Sequence, residues 1–196
     1  MAEPTQNPFA TNVTRTVHRT SYPAIAATRP ELIQAGKTVL ITGGTAGIGF
    51  AIAKAFIAAS ISTVVITGRR QEQLAKAVAS LTDLAAAAGH GGKIIGERSD
   101  AADPASIDAL WASLAERGVI VDVLVLNVAK FATPKPLFEL GIEHVWESFE
   151  VNVRGPLHHA ERFYKQAGAG GRPKVFLPTR AFFSPVAALP LALLSP

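Results

Sequence analysis

Lys37-Thr38-Val39-Leu40-Ile41-Thr42-Gly43-Gly44-Thr45-Ala46-Gly47-Ile48-Gly49 is a short β-branched, apolar run that gives way to a glycine-rich turn. Lys37–Thr42 has the look of a buried strand, and Gly47–Ala59 continues with apolar residues at helical spacing. A strand, a glycine turn and a helix in that order expose backbone N–H groups at the helix start, where the helix dipole favours a negative charge. A pyrophosphate needs several such donors close together. Glycine is needed where a side chain would keep the phosphate out and where the turn requires positive φ. A glycine-rich loop without a ligand is the competing reading, and the strand-turn-helix context is what weighs against it.

Outward from this turn the alternation repeats. Ser62–Thr67 reads as a second buried strand, Gln71–Ala88 as a helix ending at Gly89, and Lys93–Gly96 as a third strand. Asp103 followed by Pro104 predicts a cap and first turn for a helix that stops at Gly118. Val121–Leu126 is a fourth strand, and a loop holding Pro134 and Pro136 leads to a helical region, roughly Glu143–Gln166, interrupted at Gly155–Pro156. Lys174–Leu177 is a fifth strand. This order predicts an α/β fold, a Rossmann-like doubly wound parallel sheet truncated after the fifth strand. Residues 31–177 form the nucleotide-binding domain. Residues 1–30, with four prolines and no period, form an irregular arm; residues 178–196 form a proline-rich tail with no acidic residue.

The end of the second strand bears on which dinucleotide is held. NAD-binding sheets place an acid there to accept hydrogen bonds from the ribose hydroxyls. Here the chain reads Thr67-Gly68-Arg69-Arg70. With no carboxylate a 2′-phosphate meets no repulsion, and Arg69, with Arg70 beside it, can clamp it, so NADP(H) is expected and NAD disfavoured. The alternative is a pair of solvated arginines at a helix start. The missing acid also counts against a methyltransferase using S-adenosylmethionine.

Composition excludes more than it selects. Hydrophobic residues make up 48% and charged ones 17%, which is globular and not disordered. With no cysteine there is no disulfide, thiolate metal site or thiol nucleophile, in keeping with a reducing compartment. A net charge of +4 is too modest and scattered to argue for nucleic acid. Apolar runs are far shorter than the ~20 residues of a membrane span. Met1–Arg15 lacks the apolar segment of a secretory signal, whereas Thr11–Arg29, acid-free and rich in Thr and Arg, weakly resembles a transit peptide. A cytoplasmic protein is expected. His158 and His159 are adjacent on a helix and diverge by about 100°, a poor geometry for a shared metal, and His18, His90 and His144 have no partner at ligand spacing. Trp111 and Trp146, at helical spacing with apolar neighbours, are expected in the core.

Taken together, the sequence resembles the short-chain dehydrogenase/reductase family, over roughly Thr20 to Leu177. Thr42 to Gly49 fits that family's TGxxxGxG turn, which implies cofactor contacts from Thr42, Gly43, Thr45, Ala46, Gly47, Ile48 and Gly49. Asp100, with Ala101 beside it, matches the family's acid by the adenine ring. Leu126-Asn127-Val128-Ala129 stands where the family has NNAG: Asn127 matches outright and Ala129 replaces the glycine. Asn152, in Phe149-Glu150-Val151-Asn152-Val153, matches the asparagine of the catalytic tetrad. The arm, with Ser21-Tyr22-Pro23 and Thr28-Arg29-Pro30-Glu31-Leu32, is similar to that of many uncharacterised fungal members. The resemblance implies hydride transfer between a nicotinamide cofactor and a small carbonyl or alcohol substrate, and a homo-oligomer if the full-length fold is present.

The rest of the family's active site is not found. Its tyrosine donates a proton, a lysine four residues on lowers the tyrosine pKa, and a serine about a dozen residues earlier positions the substrate. Where the serine is expected the chain reads Pro178-Thr179-Arg180; the tyrosine position falls near Leu193 and the lysine just past Pro196. The only tyrosines are Tyr22 and Tyr164, and Gly168 stands four residues after the latter. Thr179 or Ser184 is a candidate serine mimic, weighed against an ordinary loop residue. Two explanations compete: a truncated or misread gene product, or a genuine short member that binds cofactor without catalysis, as a fragment or sensor. Either implies a sheet edge left exposed after the fifth strand, with unburied apolar surface.

Overall fold

The computed structural model describes residues 20–89, 92–131, 135–168, 170 and 174–179. Of the sequence-based expectations, His18, His90, Pro134, Ser184 and the tail from residue 180 on lie outside the described residues. The β-branched runs form five strands: β1 (Thr38–Ile41), β2 (Thr63–Gly68), β3 (Lys93–Arg98), β4 (Val123–Leu126) and β5 (Val175–Pro178). They make one sheet in the order β3-β2-β1-β4-β5, parallel at every pairing, with β1 in the middle. Helices α1 (Gly47–Ala58), α2 (Gln71–Ala87) and α3 (Pro104–Glu116) follow the first three strands. A single turn, α4 (Leu137–Leu140), then precedes α5 (Ile142–Phe149) and α6 (Gly155–Lys165). The arm ahead of β1 contains two short 3₁₀ turns, at Pro23–Ile25 and Pro30–Leu32. Just past the second turn, Gln34 N–H donates to Ala59 O, at the end of α1, at 2.8 Å.

The central strands β1, β2 and β4 are apolar on both sides because each side faces helices. Val39, Ile41, Val64 and Ile66 pack with Ala53 and Ile57 of α1 and Leu74, Ala77 and Leu81 of α2. Leu40, Val65, Leu124 and Leu126 face the other way, onto Ile107, Leu110, Trp111 and Leu114 of α3 and Phe163 of α6. The start of β1 is fastened by the buried Asp122, whose Oδ2 accepts the Thr38 N–H at 2.8 Å.

Three sequence expectations are corrected here. Trp146 is not core: it is 57% exposed, whereas Trp111 is buried at 8%. Gly155–Pro156 does not interrupt the long helix; Pro156 is accommodated in the first turn of α6. The irregularity lies just before it, in a π-type turn at Glu150–Arg154. Gly155 is small because a Cβ there would overlap the Ala101 carbonyl oxygen. Finally, β3 runs through Gly96 to Arg98, since the glycine makes room for Val78 and Leu74 of α2 and does not end the strand.

β5 is one of two edge strands among the described residues, opposite β3, and Val175, Phe176 and Leu177 are all more than 40% exposed. Ile142, Trp146, Phe149, Val153 and Leu157 form a second exposed apolar stripe, running along α5, the π-type turn and α6. It borders a shallow groove of about 460 Å³.

Candidate cofactor site

The site is built where β1 breaks into its turn. Thr42 is buried, and its hydroxyl oxygen accepts N–H bonds from Asn127 at 2.9 Å and Val128 at 3.3 Å. One side chain therefore ties the end of β1 to the end of β4. Gly43 and Gly47 both adopt left-handed backbone, at φ 66° and 57°. Gly49, inside α1, faces the Gly43 carbonyl so closely that a Cβ would lie 2.6 Å from Asn127 Nδ2. Asn127 in turn donates from Nδ2 to Gly43 O at 3.2 Å. The N-cap of α1, Ala46, offers no side-chain hydrogen bond, so the first N–H groups of the helix have no side-chain cap. Ala46, Gly47 and Ile48 lie exposed at this rim.

At the end of β2 the backbone of Gly68 lies against Thr45, whose Cγ2 would be 2.5 Å from any Cβ there. Arg69 and Arg70 follow, exposed, and neither forms an ion pair among the described residues. Past β3, Asp100 folds into a tight turn in which its Oδ1 accepts the Ala102 N–H at 3.0 Å and its own N–H donates to Ser106 Oγ at 2.9 Å. These ends enclose a cleft of about 960 Å³, lined by Gly43, Thr45, Arg69, Asp100, Ala101, Asn127 and Ala129, among others. A cleft of this size, with glycines where any side chain would collide and uncapped N–H groups at its rim, fits a dinucleotide.

Asn152 lies in the π-type turn and is buried. Its side-chain amide makes a double latch to one residue: Oδ1 accepts the Lys130 N–H at 2.8 Å, and Nδ2 donates to the Lys130 carbonyl at 2.7 Å. The Lys130 ammonium pairs with Glu147 and holds that carboxyl below the usual range. Thr179, the candidate serine mimic, has turned its hydroxyl back to donate to Leu126 O at 3.1 Å. It sits 3.4 Å from Asn127 Oδ1, so it braces the sheet end.

The sequence model of the short chain dehydrogenase family matches residues 37–172, more than half of the chain. This chain belongs to that family. Among curated proteins, the short chain dehydrogenase/reductase dpmpG of Macrophomina phaseolina (strain MS6) is 37% identical over 123 residues, covering 62% of this chain and 66% of that protein. Among solved structures, a short-chain type dehydrogenase/reductase from Mycobacterium ulcerans superposes with a TM-score of 0.67 at 25% identity, over 75% of this chain and 52% of that one. L-sorbose reductase from Gluconobacter frateurii, solved with NADPH and L-sorbose, gives a TM-score of 0.58 at 27% identity, over 66% of this chain and 46% of that one. The chain thus spans between about half and two thirds of the length of these relatives.

Gly43 and Thr45 of the glycine turn line one cleft with Arg69, Arg70, Asp100, Ala101, Asn127 and Ala129, whereas Thr42, Ala46, Gly47, Ile48 and Gly49 do not line it, and Asn152 is tied to the Lys130 segment that does. Sequence reasoning missed part of the cleft wall, including Gln73, Lys130, Glu147, Glu150 and Arg154. Only Lys130, next to Ala129, carried a local signal. His159 was also missed as a structural group. It is buried and accepts the Trp111 Nε1–H at Nδ1, 3.2 Å away, while its neighbour His158 faces Asp108 at 2.7 Å. The two imidazoles point to different partners, and no group of three metal-ligating side chains occurs among the described residues. No helix among them is long and apolar enough to cross a membrane.

Proposed function

We propose that this chain is the cofactor-holding part of an NADP(H)-dependent short-chain oxidoreductase acting on a small carbonyl or alcohol. The observation that carries the cofactor choice is the end of β2, where Gly68 is followed by two exposed arginines with no carboxylate to meet a ribose hydroxyl. The NADPH in the L-sorbose reductase structure supports it. In this reading the turn from Thr42 to Gly49 seats the pyrophosphate, Arg69 and Arg70 take the 2′-phosphate, and Asp100 and Ala101 border the adenine. Asn127 and Ala129 flank the nicotinamide ribose. The bound cofactor supplies or accepts the hydride. Asn152 is a positioning residue that holds the Lys130 segment against the cleft.

Arg69→Ala should weaken NADPH binding about 10- to 100-fold, the worth of a charge-assisted hydrogen bond. NADH binding should change by no more than about twofold, and parallel fluorescence titrations check this. Equal losses for both cofactors would remove the clamp from the reading.

The second reading, a non-catalytic NADP(H) binder, rests on the absence of a Tyr-x-x-x-Lys sequence in these 196 residues. Without a proton donor the rate falls typically by about 10²–10⁴-fold. The purified 196-residue chain is therefore expected to bind NADPH yet consume none with a panel of small ketones and aldehydes. Measurable turnover would show that the donor lies within these residues. A transcript reading into Tyr-x-x-x-Lys beyond the codon for Leu177 would favour the enzyme. Cytoplasmic residence, the domain limits of 31–177 and a homo-oligomer covering the exposed Trp146–Leu157 stripe belong to the same proposal.

A further inference from the structure

We infer that Arg98 is a third guanidinium of the 2′-phosphate site, steadying the turn that carries Arg69 and adding its own charge beside Arg69 and Arg70; this rests on the NADP(H) reading above. Arg98 is the last residue of β3 and sits in register with Gly68, the last residue of β2. Successive side chains of a strand point to opposite faces. Gly96 faces Val78 and Leu74 of α2, and Glu97 faces the other way, bonded to Ser113 and Arg117 of α3. Arg98 must then emerge on the α2 side, and its Nε–H donates to the Arg69 carbonyl at 3.2 Å.

That bond couples the two residues the proposal needs. It fixes the backbone from which the Arg69 side chain springs, and the rest of the Arg98 guanidinium forms no ion pair among the described residues. Two nearby carboxylates are occupied elsewhere, and Asp100 accepts the Ala102 N–H. Glu97 is held by Arg117 across the sheet, and Glu72, in the first turn of α2, is 2.7 Å from Lys76. Three exposed arginines, at 69, 70 and 98, therefore stand at the joined ends of β2 and β3, none of them in an ion pair among the described residues. Like charges gathered without a partner repel one another, and a bound phosphate dianion relieves that repulsion while accepting their N–H bonds.

The test is titration of the 196-residue chain with NADPH, NADH and 2′,5′-ADP, comparing wild type with Arg98→Ala, Arg98→Lys and Arg69→Ala. Arg98→Ala should weaken NADPH and 2′,5′-ADP roughly tenfold and NADH by no more than about twofold. Arg98→Lys, which keeps the charge, should restore NADPH affinity to within about threefold of wild type. Unchanged NADPH affinity in Arg98→Ala, or equal losses for NADPH and NADH, overturns the inference. If wild type shows no preference for NADPH, the NADP(H) reading fails and this inference with it. A preference that Arg69→Ala removes and Arg98→Ala leaves intact overturns the Arg98 inference alone.

Discussion

Gly49→Ala should reduce NADPH binding by more than about 100-fold and lower the melting temperature by roughly 5–10 °C. The added methyl would overlap the Gly43 carbonyl and lie 2.6 Å from Asn127 Nδ2. Neither neighbour can yield cheaply. Gly43 is held in left-handed backbone at φ 66°, and Asn127 is tied to Thr42 Oγ1 through its N–H. Overpacking of this kind costs typically about 1–3 kcal/mol, and for a chain of this size each kcal/mol lowers the melting temperature by about 2–4 °C. The loss of binding is larger because the displaced atoms are those that shape the proposed pyrophosphate seat, where sub-ångström shifts would break several N–H contacts together. Calorimetry and NADPH titration on the same sample measure both effects. A Gly49→Ala chain that melts with wild type and binds within about threefold of it would contradict the close-approach account.

Acid should weaken the molecule through His159 well before ordinary carboxylates protonate. Burial, with a smaller contribution from the charge on His158, pushes the His159 imidazole from 6.5 down to about 4. The unfolded chain takes up this proton near 6.5, whereas the folded chain resists it until about 4. Stability is therefore undiminished above that upper value, falls as pH drops through the window, and is flat below it as far as this group is concerned. The full loss is on the order of 3 kcal/mol, at about 1.4 kcal/mol for each pKa unit. Asp108, which faces His158 from α3, is held below its ordinary 3.8, chiefly by the Arg162 hydrogen bond, so its contribution is lost only at lower pH. Structurally, protonation removes the Nδ1 lone pair that accepts the Trp111 N–H and places a charge between α3 and α6. Denaturant unfolding at pH 7 and pH 4.5 should show the drop in wild type and a much smaller one in His159→Gln. Identical drops in both would assign the acid sensitivity elsewhere.

The parts of the fold governed by neighbouring residues are legible in the sequence. Strand β1, its glycine turn and α1 follow from a β-branched run and four closely spaced glycines, and the Asp103 cap bonds the Ala105 N–H as its spacing before Pro104 implies. Features set by distant packing are not legible. Gly96 reads as a strand end, yet it is a strand interior opened for Val78 and Leu74, and so Arg98 loses its register partner Gly68 in a sequence reading. Trp146 has the spacing of a core residue because an amphipathic stripe looks the same whatever covers it. Asn152 is legible as a residue type in a motif, but nothing local reveals that both ends of its amide are committed to Lys130. His159 carries no signal at all, because its meaning comes from Trp111 on another helix.

The π-type turn at Glu150–Arg154 amounts to one surplus residue threaded into an otherwise regular rod. It gives the two halves of that rod separate phases. Removing a single residue there, such as Val151, would restore even winding and turn everything on one side by about 100° relative to the other. Asn152 would then swing off Lys130, or Gly155 would rotate away from the Ala101 carbonyl and bring a bulkier neighbour against it. The long helix thus behaves as two shafts coupled at a fixed offset, one gripping the Lys130 segment and one seated on the Ala101 turn. Loss of a residue there should therefore be poorly tolerated, because Asn152 and Gly155 on either side of the offset are both buried.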